Sequence, residues 1–200
     1  MSREVTDGLP ASVRAAGAPA LPALAAPWSC RLLRPGLAGA PSSDAELISR
    51  WMHESHVDLF WRQAWPPQRW ADTIADQLAG EYSRPLLVSL HGRPFAYLEV
   101  YRVSRDVVGQ CHPTDPYDLG IHLAIGDVRD TGRGLGRTMV GAVADGLFAA
   151  DPRCRRVFVD PDERHDVACR AFRAAGFRPV GVHDLGHKRA ALHVRVAPVR

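Results

Sequence analysis

Thr131-Gly132-Arg133-Gly134-Leu135-Gly136 separates a run that alternates like a strand from one that repeats like a helix. Before it, Leu119, Ile121, Leu123 and Ile125 alternate with Gly120, His122 and Ala124, the period of two that sends successive side chains to opposite faces of a sheet. After it, Leu135, Met139, Val140, Val143, Leu147 and Phe148 share one helical face. The glycines let a backbone approach a ligand closely, and the following helix offers unpaired N–H groups and the positive end of its dipole. Such a turn suits a phosphate or pyrophosphate, and Arg129, Arg133 and Arg137 are near enough in sequence to add charge-assisted bonds. The glycine spacing does not match a dinucleotide-binding turn, and no Gly-Lys-Ser/Thr is present. A turn of purely structural purpose is the competing reading.

Working outward, Arg156–Asp160 reads as a strand, and Val167, Ala168, Ala171, Phe172 and Ala175 as a second helical face stopped by Gly176. Strands near Phe177–His183 and Arg189–Val196 close the chain. Towards the N-terminus, a loop holding Cys111 to Pro116 precedes the alternating strand. Leu86–Leu90 and Phe95–Val103 read as two strands joined by the tight hairpin His91-Gly92-Arg93-Pro94. A helix opens at Pro67 and runs through Ile74 and Leu78 to Gly80. Another opens at Ser43, with Glu46 at capping-box spacing and Leu47, Ile48, Trp51 and Met52 in register. A short strand near Cys30–Leu33 begins the ordered part. The order β-α-α-β-β-β-α-β-α-β-β predicts an α/β (α+β) mixed sheet with helices on both faces. Residues 1–26, rich in Ala, Pro and Gly without periodicity, read as a disordered leader, and 27–200 as one domain.

The bulk properties narrow the function. A chain of 200 residues with 46% hydrophobic residues buries one substantial core, and a formal charge of +3 falls short of a nucleic-acid-binding signature. Lys188 is the only lysine among 25 basic residues. Placed in the final hairpin, it reads as solvated. Cys30, Cys111, Cys154 and Cys169 form no CxxC, and His53 and His56 stand at no metal-ligand spacing, so free thiols and no metal are expected. No segment reaches the ~20 apolar residues that span a bilayer. Charged residues and prolines break up the N-terminal apolar stretch, so no signal peptide is read and a cytoplasmic location is expected. Nothing demands a dimer; a monomer or weak dimer is expected.

Longer strings carry a family resemblance. Thr131, Gly134 and Gly136 take the positions of Gln/Arg-x-x-Gly-x-Gly/Ala, the acyl-CoA pyrophosphate loop of the GNAT superfamily, with Thr131 departing from it. His165-x-x-Ala168-x-x-x-Phe172-x-x-x-Gly176-Phe177 follows the family's Asn-x-x-Ala-x-x-x-Tyr-x-x-x-Gly-Phe, with His165 and Phe172 as substitutions. Arg50-Trp51-Met52-His53, Phe60-Trp61 to Ala64-Trp65-Pro66, Tyr97-Leu98-Glu99-Val100-Tyr101, Gly120-Ile121-His122-Leu123 and Asp160-Pro161-Asp162-Glu163-Arg164 appear in that order. Together they resemble the siderophore-biosynthesis branch, the aerobactin-type hydroxylysine acetyltransferases and mycobactin-type lysine acyltransferases, over roughly residues 28–197. The resemblance implies a mostly antiparallel twisted sheet with a splayed V between two strands. It also implies acetyl-CoA or another acyl-CoA as co-substrate, and direct transfer to a small-molecule amine or hydroxylamine of the lysine or ornithine type without an acyl-enzyme.

The candidate residues follow. His122, on the face opposite its strand's apolar set and flanked by small residues, is the first candidate for accepting the amine's proton or holding the amine. Asp160 ends a strand at a carboxyl edge; in the resembling enzymes the matching aspartate is proposed as base, while capping of the next helix by Asp160 or Asp162 is the plainer alternative. Glu99 shares a strand face with Tyr97 and Tyr101; it, Tyr97, Trp61 and Trp65 are the expected substrate-side groups, with a solvated or structural role for Glu99 and a core role for the tryptophans as the plainer alternatives. Ile125, Arg129, Thr131, Gly132, Arg133, Gly134, Leu135, Gly136, Arg137 and His165 are the expected acyl-CoA contacts. Phe172, lacking the family tyrosine's hydroxyl, leaves the thiolate to depart unassisted or through water. The rivals are an aminoglycoside 6′-N-acetyltransferase and a non-catalytic acyl-CoA-binding module.

Overall fold

A computed structural model describes residues 4–5, 8–37 and 40–199. In chain order the elements are α1 (Ala11–Ala15), β1 (Trp28–Leu32), β2 (Gly36–Leu37), β3 (Ala40–Pro41), α2 (Ser43–Met52), α3 (Ser55–Trp61), α4 (Pro67–Ala79), β4 (Ser83–Leu90), β5 (Arg93–Arg102), α5 (Val108–Cys111), β6 (Leu119–Ile125), α6 (Leu135–Ala150), β7 (Arg156–Val159), α7 (Asp166–Ala174), β8 (Arg178–Asp184) and β9 (Arg189–Val196). Short 3₁₀ turns occupy Val103–Arg105 and Val128–Asp130.

Seven strands form one sheet in the order β1-β4-β5-β6-β7-β9-β8, antiparallel except where β6 meets β7. The parallel contact lasts two pairs, Leu119↔Val157 and Gly120↔Phe158, after which the strands part. β6 runs on to Ile125 still paired with β5, so the sheet opens as a V on one side of β6 only. Period-two patterning divides the core. Leu119 and Ile121 of β6 pack with Leu98 and Val100 beneath Met139, Val140, Val143 and Leu147 of α6. On the other face, Leu87, Tyr97 and Ala124 pack against Ile48 and Met52 of α2 and Trp70 and Ile74 of α4.

Several expectations shift by a residue or a turn. The cap of α2 is Ser42, whose hydroxyl accepts from Ala45 N at 3.1 Å; with the cap one residue earlier, Glu46 leaves capping-box register. The β4–β5 turn is His91-Gly92 alone, both with positive φ (49° and 78°), as a two-residue type I′ hairpin requires; Arg93 and Pro94 already belong to β5. α3 is additional, and its one fully buried side chain, Val57, explains why no apolar face marks it.

The leader also differs. Residues 1–3, 6 and 7 of it lie outside the described set, but much of the remainder packs on the domain. Val13 and Ala16 are buried. Arg102, 1% exposed, donates from Nε to Gly17 O at 3.0 Å and from Nη2 to Ala16 O at 3.0 Å and Ala18 O at 3.2 Å. Ala23 N donates to Gly146 O at 3.1 Å, and a Cβ on Gly146 would sit 2.7 Å from Ala23 O. A proline- and alanine-rich segment is held here through its carbonyls, the one feature its composition does not reveal. Among the described residues no helix is long and apolar enough to cross a membrane.

Candidate active site

Antiparallel register between β5 and β6 sets Glu99 opposite His122 and Tyr101 opposite Gly120. Gly120 is required there: a Cβ would lie 2.1 Å from Tyr101 Cζ. The space over Gly120 is therefore filled by the Tyr101 ring, which stacks on one face of the imidazole at 4.6 Å and 24°. Across the opening of the V, β7 delivers Asp160. Its Oδ1 lies 2.8 Å from His122 Nε2 and accepts from the Tyr101 hydroxyl at 3.2 Å. The other imidazole nitrogen, Nδ1, is 3.5 Å from Glu99 Oε2, and Glu99 Oε1 accepts from Gln77 Nε2 at 2.8 Å.

The fourth charge is Lys188. Beyond β7 the chain continues to pair with the start of β9: Ala191 N donates to Pro161 O and Glu163 N to Arg189 O, both at 2.9 Å. That extension fixes the β8–β9 turn beside Asp160, and Lys188 Nζ reaches Asp160 Oδ2 at 2.8 Å, only 20% exposed. The expectation of a solvated lysine is corrected by this pairing register, which hydropathy does not encode.

Electrostatics follow from the cluster. Burial alone disfavours the imidazolium of His122, but the charge and hydrogen bond of Asp160, with Glu99 behind, outweigh it and raise the pKa to about 9. Burial likewise opposes ionisation of Asp160, yet Lys188 and His122 hold it well below the usual carboxylate range. At neutral pH the imidazolium of His122 therefore faces an ionised Asp160. Asp160 caps no helix, and the Asp162 carboxylate accepts from Arg164 Nη2 at 2.8 Å and from Arg164 N at 3.0 Å.

A cavity of about 880 Å³ joins this cluster to the glycine turn, lined among others by Trp61, His122, Ile125, Asp160, His165 and Lys188. Thr131, Gly132, Gly134, Gly136 and Arg137 line its other end. Gly132 and Gly134 take φ of 70° and 77°, conformations that favour glycine, and an added Cβ at either would meet nothing within 4 Å. Gly134 is the N-cap of α6 and offers no side-chain cap, so the first N–H groups of a 16-residue helix point to the cavity end. Bidentate pairing of Arg93 with Asp130 at 2.8 and 2.9 Å anchors the preceding turn to β5. These features fit an anionic diphosphate. His165 stacks on Phe60 at 3.9 Å and 4°, and His56 Nε2 lies 3.0 Å from Ile125 O, so α3 closes one wall.

Other expected contacts lie elsewhere. Arg129 is 85% exposed and held by Asp127 at 2.5 Å, and Arg133 does not line the cavity. Leu135 packs on the core. Tyr97, 1% exposed, sits behind Trp61 at 5.5 Å, and Trp65 is occupied by Trp70 and the Arg69 guanidinium, its carbonyl accepting from Ser49 Oγ. Glu99 stands behind His122, outside the cavity lining. Phe172 lines the cavity without a hydroxyl. Lys188, Gln77 and Phe60 were missed; the one available signal was a single lysine in a chain that otherwise uses arginine. Among the described residues no group of three or more His, Cys, Asp or Glu converges as a metal site.

A sheet parted beside one parallel pair, with a helix N-terminus at the opening, defines an acyltransferase of the GNAT class. The GNAT acetyltransferase domain family matches residues 40–185, and the chain belongs to that family. It is 43% identical over 181 residues to the lysine N-acyltransferase MbtK of Mycobacterium sp. (strain MCS), covering 90% of this chain and 72% of that one. With the N(6)-hydroxylysine O-acetyltransferase of Escherichia coli it shares 28% identity over 152 residues, 76% of this chain and 48% of the relative. The solved aminoglycoside acetyltransferase AAC(6′)-Ib with coenzyme A superposes with a TM-score of 0.72 at 23% identity, over 84% of this chain and 94% of that one, a likeness of fold.

Proposed function

We propose that the protein transfers an acyl group from acyl-CoA to the side-chain amine, or N-hydroxylated amine, of lysine or a close relative such as ornithine, as in hydroxamate siderophore assembly. One observation carries this reading: the buried carboxylate of Asp160, at the mouth of the V, already holds an alkylammonium, that of Lys188, at 2.8 Å. A substrate lysine side chain presents the same group. The relatives named for lysine and hydroxylysine chemistry support the reading.

In this reading the glycine turn and the α6 N-terminus bind the diphosphate, and the thioester lies along β6 where its backbone is free of β7. An N–H there polarises the carbonyl. The acceptor nitrogen displaces Lys188 and is oriented by Asp160. Only the neutral amine attacks, and the His122–Asp160 pair takes the proton once His122 has lost its own. The thiolate departs without a side-chain acid, since Phe172 offers none.

The test is thiol release from acetyl-CoA and longer acyl-CoAs with lysine, N6-hydroxylysine, ornithine, N5-hydroxyornithine and kanamycin. Turnover of lysine, ornithine or their hydroxylated forms is the expected result. Turnover of kanamycin alone transfers the protein to the drug-modifying enzymes and ends this reading.

A further inference from the structure

Lys188 has a second consequence. Its Nζ is 2.8 Å from Asp160 Oδ2, and it lines the same cavity as the glycine turn and His122. Its backbone is fixed on both sides: Leu185 N donates to Lys188 O at 2.9 Å, and Arg189 O accepts from Glu163 N at 2.9 Å. No other lysine exists in the sequence. The one lysine of this arginine-rich chain thus has its amine in the position that the proposed function gives to the substrate nitrogen.

We propose that Lys188 is itself an acylation site, modified by the protein's own acyl-CoA when no acceptor is present. The inference rests on the proposed function, because it takes Asp160 as the carboxylate that orients the acceptor. In the step, the Lys188 Nζ–carbonyl carbon bond forms and the carbon–sulfur bond of the thioester breaks. Of the two protons the ammonium gives up, one ends on the departing CoA thiol and one passes by way of Asp160 to solvent. The product is an uncharged amide that no longer pairs with Asp160. Proximity supplies the rate, since amine and thioester share one enclosed space. Arginine in place of Lys188 would keep the ion pair but cannot form this amide under these conditions.

The experiment is incubation of the full chain with acetyl-CoA alone, followed by intact mass and peptide mapping. The expected result is one acetyl group on Lys188, appearing ~10-fold or more faster than in the urea-unfolded chain. Added lysine slows the labelling, and Asp160→Asn abolishes it. An unlabelled Lys188, label on the N-terminal amine alone, or equal rates in folded and unfolded chains overturns the inference. Thiol release with lysine is measured in parallel. Turnover without Lys188 labelling removes the inference and leaves the proposed function. Labelling without turnover of any amine does the reverse.

Discussion

Glu99 and Asp160 flank His122 in the V, and Lys188 reaches Asp160 from the other side. With its pKa raised to about 9, His122 is an imidazolium at neutral pH and donates to Asp160. The base form of the pair therefore accumulates only as pH climbs, so kcat/KM for lysine is expected to rise from pH 7 to about 9. A pH–rate profile checks this, and the inflection should be lost in His122→Gln. The same shift bears on stability. A histidine raised above its ordinary 6.5 contributes fully below that value and loses its contribution as pH rises through about 9, so the melting temperature should fall across that window in the wild type and not in His122→Gln. Asp160→Asn and His122→Ala are each expected to lower kcat/KM by ~10²-fold. Near-wild-type turnover in both folded variants would remove these residues from the chemistry. His122 and Asp160 could each be singled out from strand position in the sequence; their 2.8 Å contact and the part of Lys188 could not, because both depend on how β7 and β9 are registered.

Among the elements, β6 does most to build the site: one edge is paired along its length with β5, the other is released after Gly120. Its bounds, Leu119–Ile125, and those of β9, Arg189–Val196, are legible in the sequence because alternation and bordering turn residues agree. α3 is not, since Leu59 is 65% exposed and the helix has no continuous apolar stripe, yet it brings Phe60 onto His165 and Trp61 near His122. In the β5–β6 pair Gly120 lies directly under the Tyr101 ring. Gly120→Ala is expected to cost about 1–3 kcal/mol by overpacking, and to lower kcat/KM further by displacing the ring stacked on His122. Urea unfolding and steady-state kinetics on one preparation separate the two effects; unchanged values for both would mean the ring moves aside freely.

Over the whole molecule, the succession of strands and helices and the placing of helices on both faces follow from patterns the sequence displays, whereas the order of strands in the sheet and the docking of the leader do not. Composition measures what a segment can bury, and this segment is held by backbone carbonyls on a side chain more than eighty residues away. Arg102→Met is expected to destabilise the chain by about 2–3 kcal/mol, because charge-assisted bonds are lost and buried carbonyls are left unpaired. Limited proteolysis should then cut within residues 8–26, and a leader equally resistant in both proteins would contradict the clasp. The arrangement also orders events in time. On the ribosome, Ala16 to Ala23 are made long before Arg102 and Gly146, so the earliest of these segments to be synthesised has no place to dock until β5 and α6 exist. Made before either partner, it closes only once both have followed it out, so its docking reports that β5 and α6 are in place.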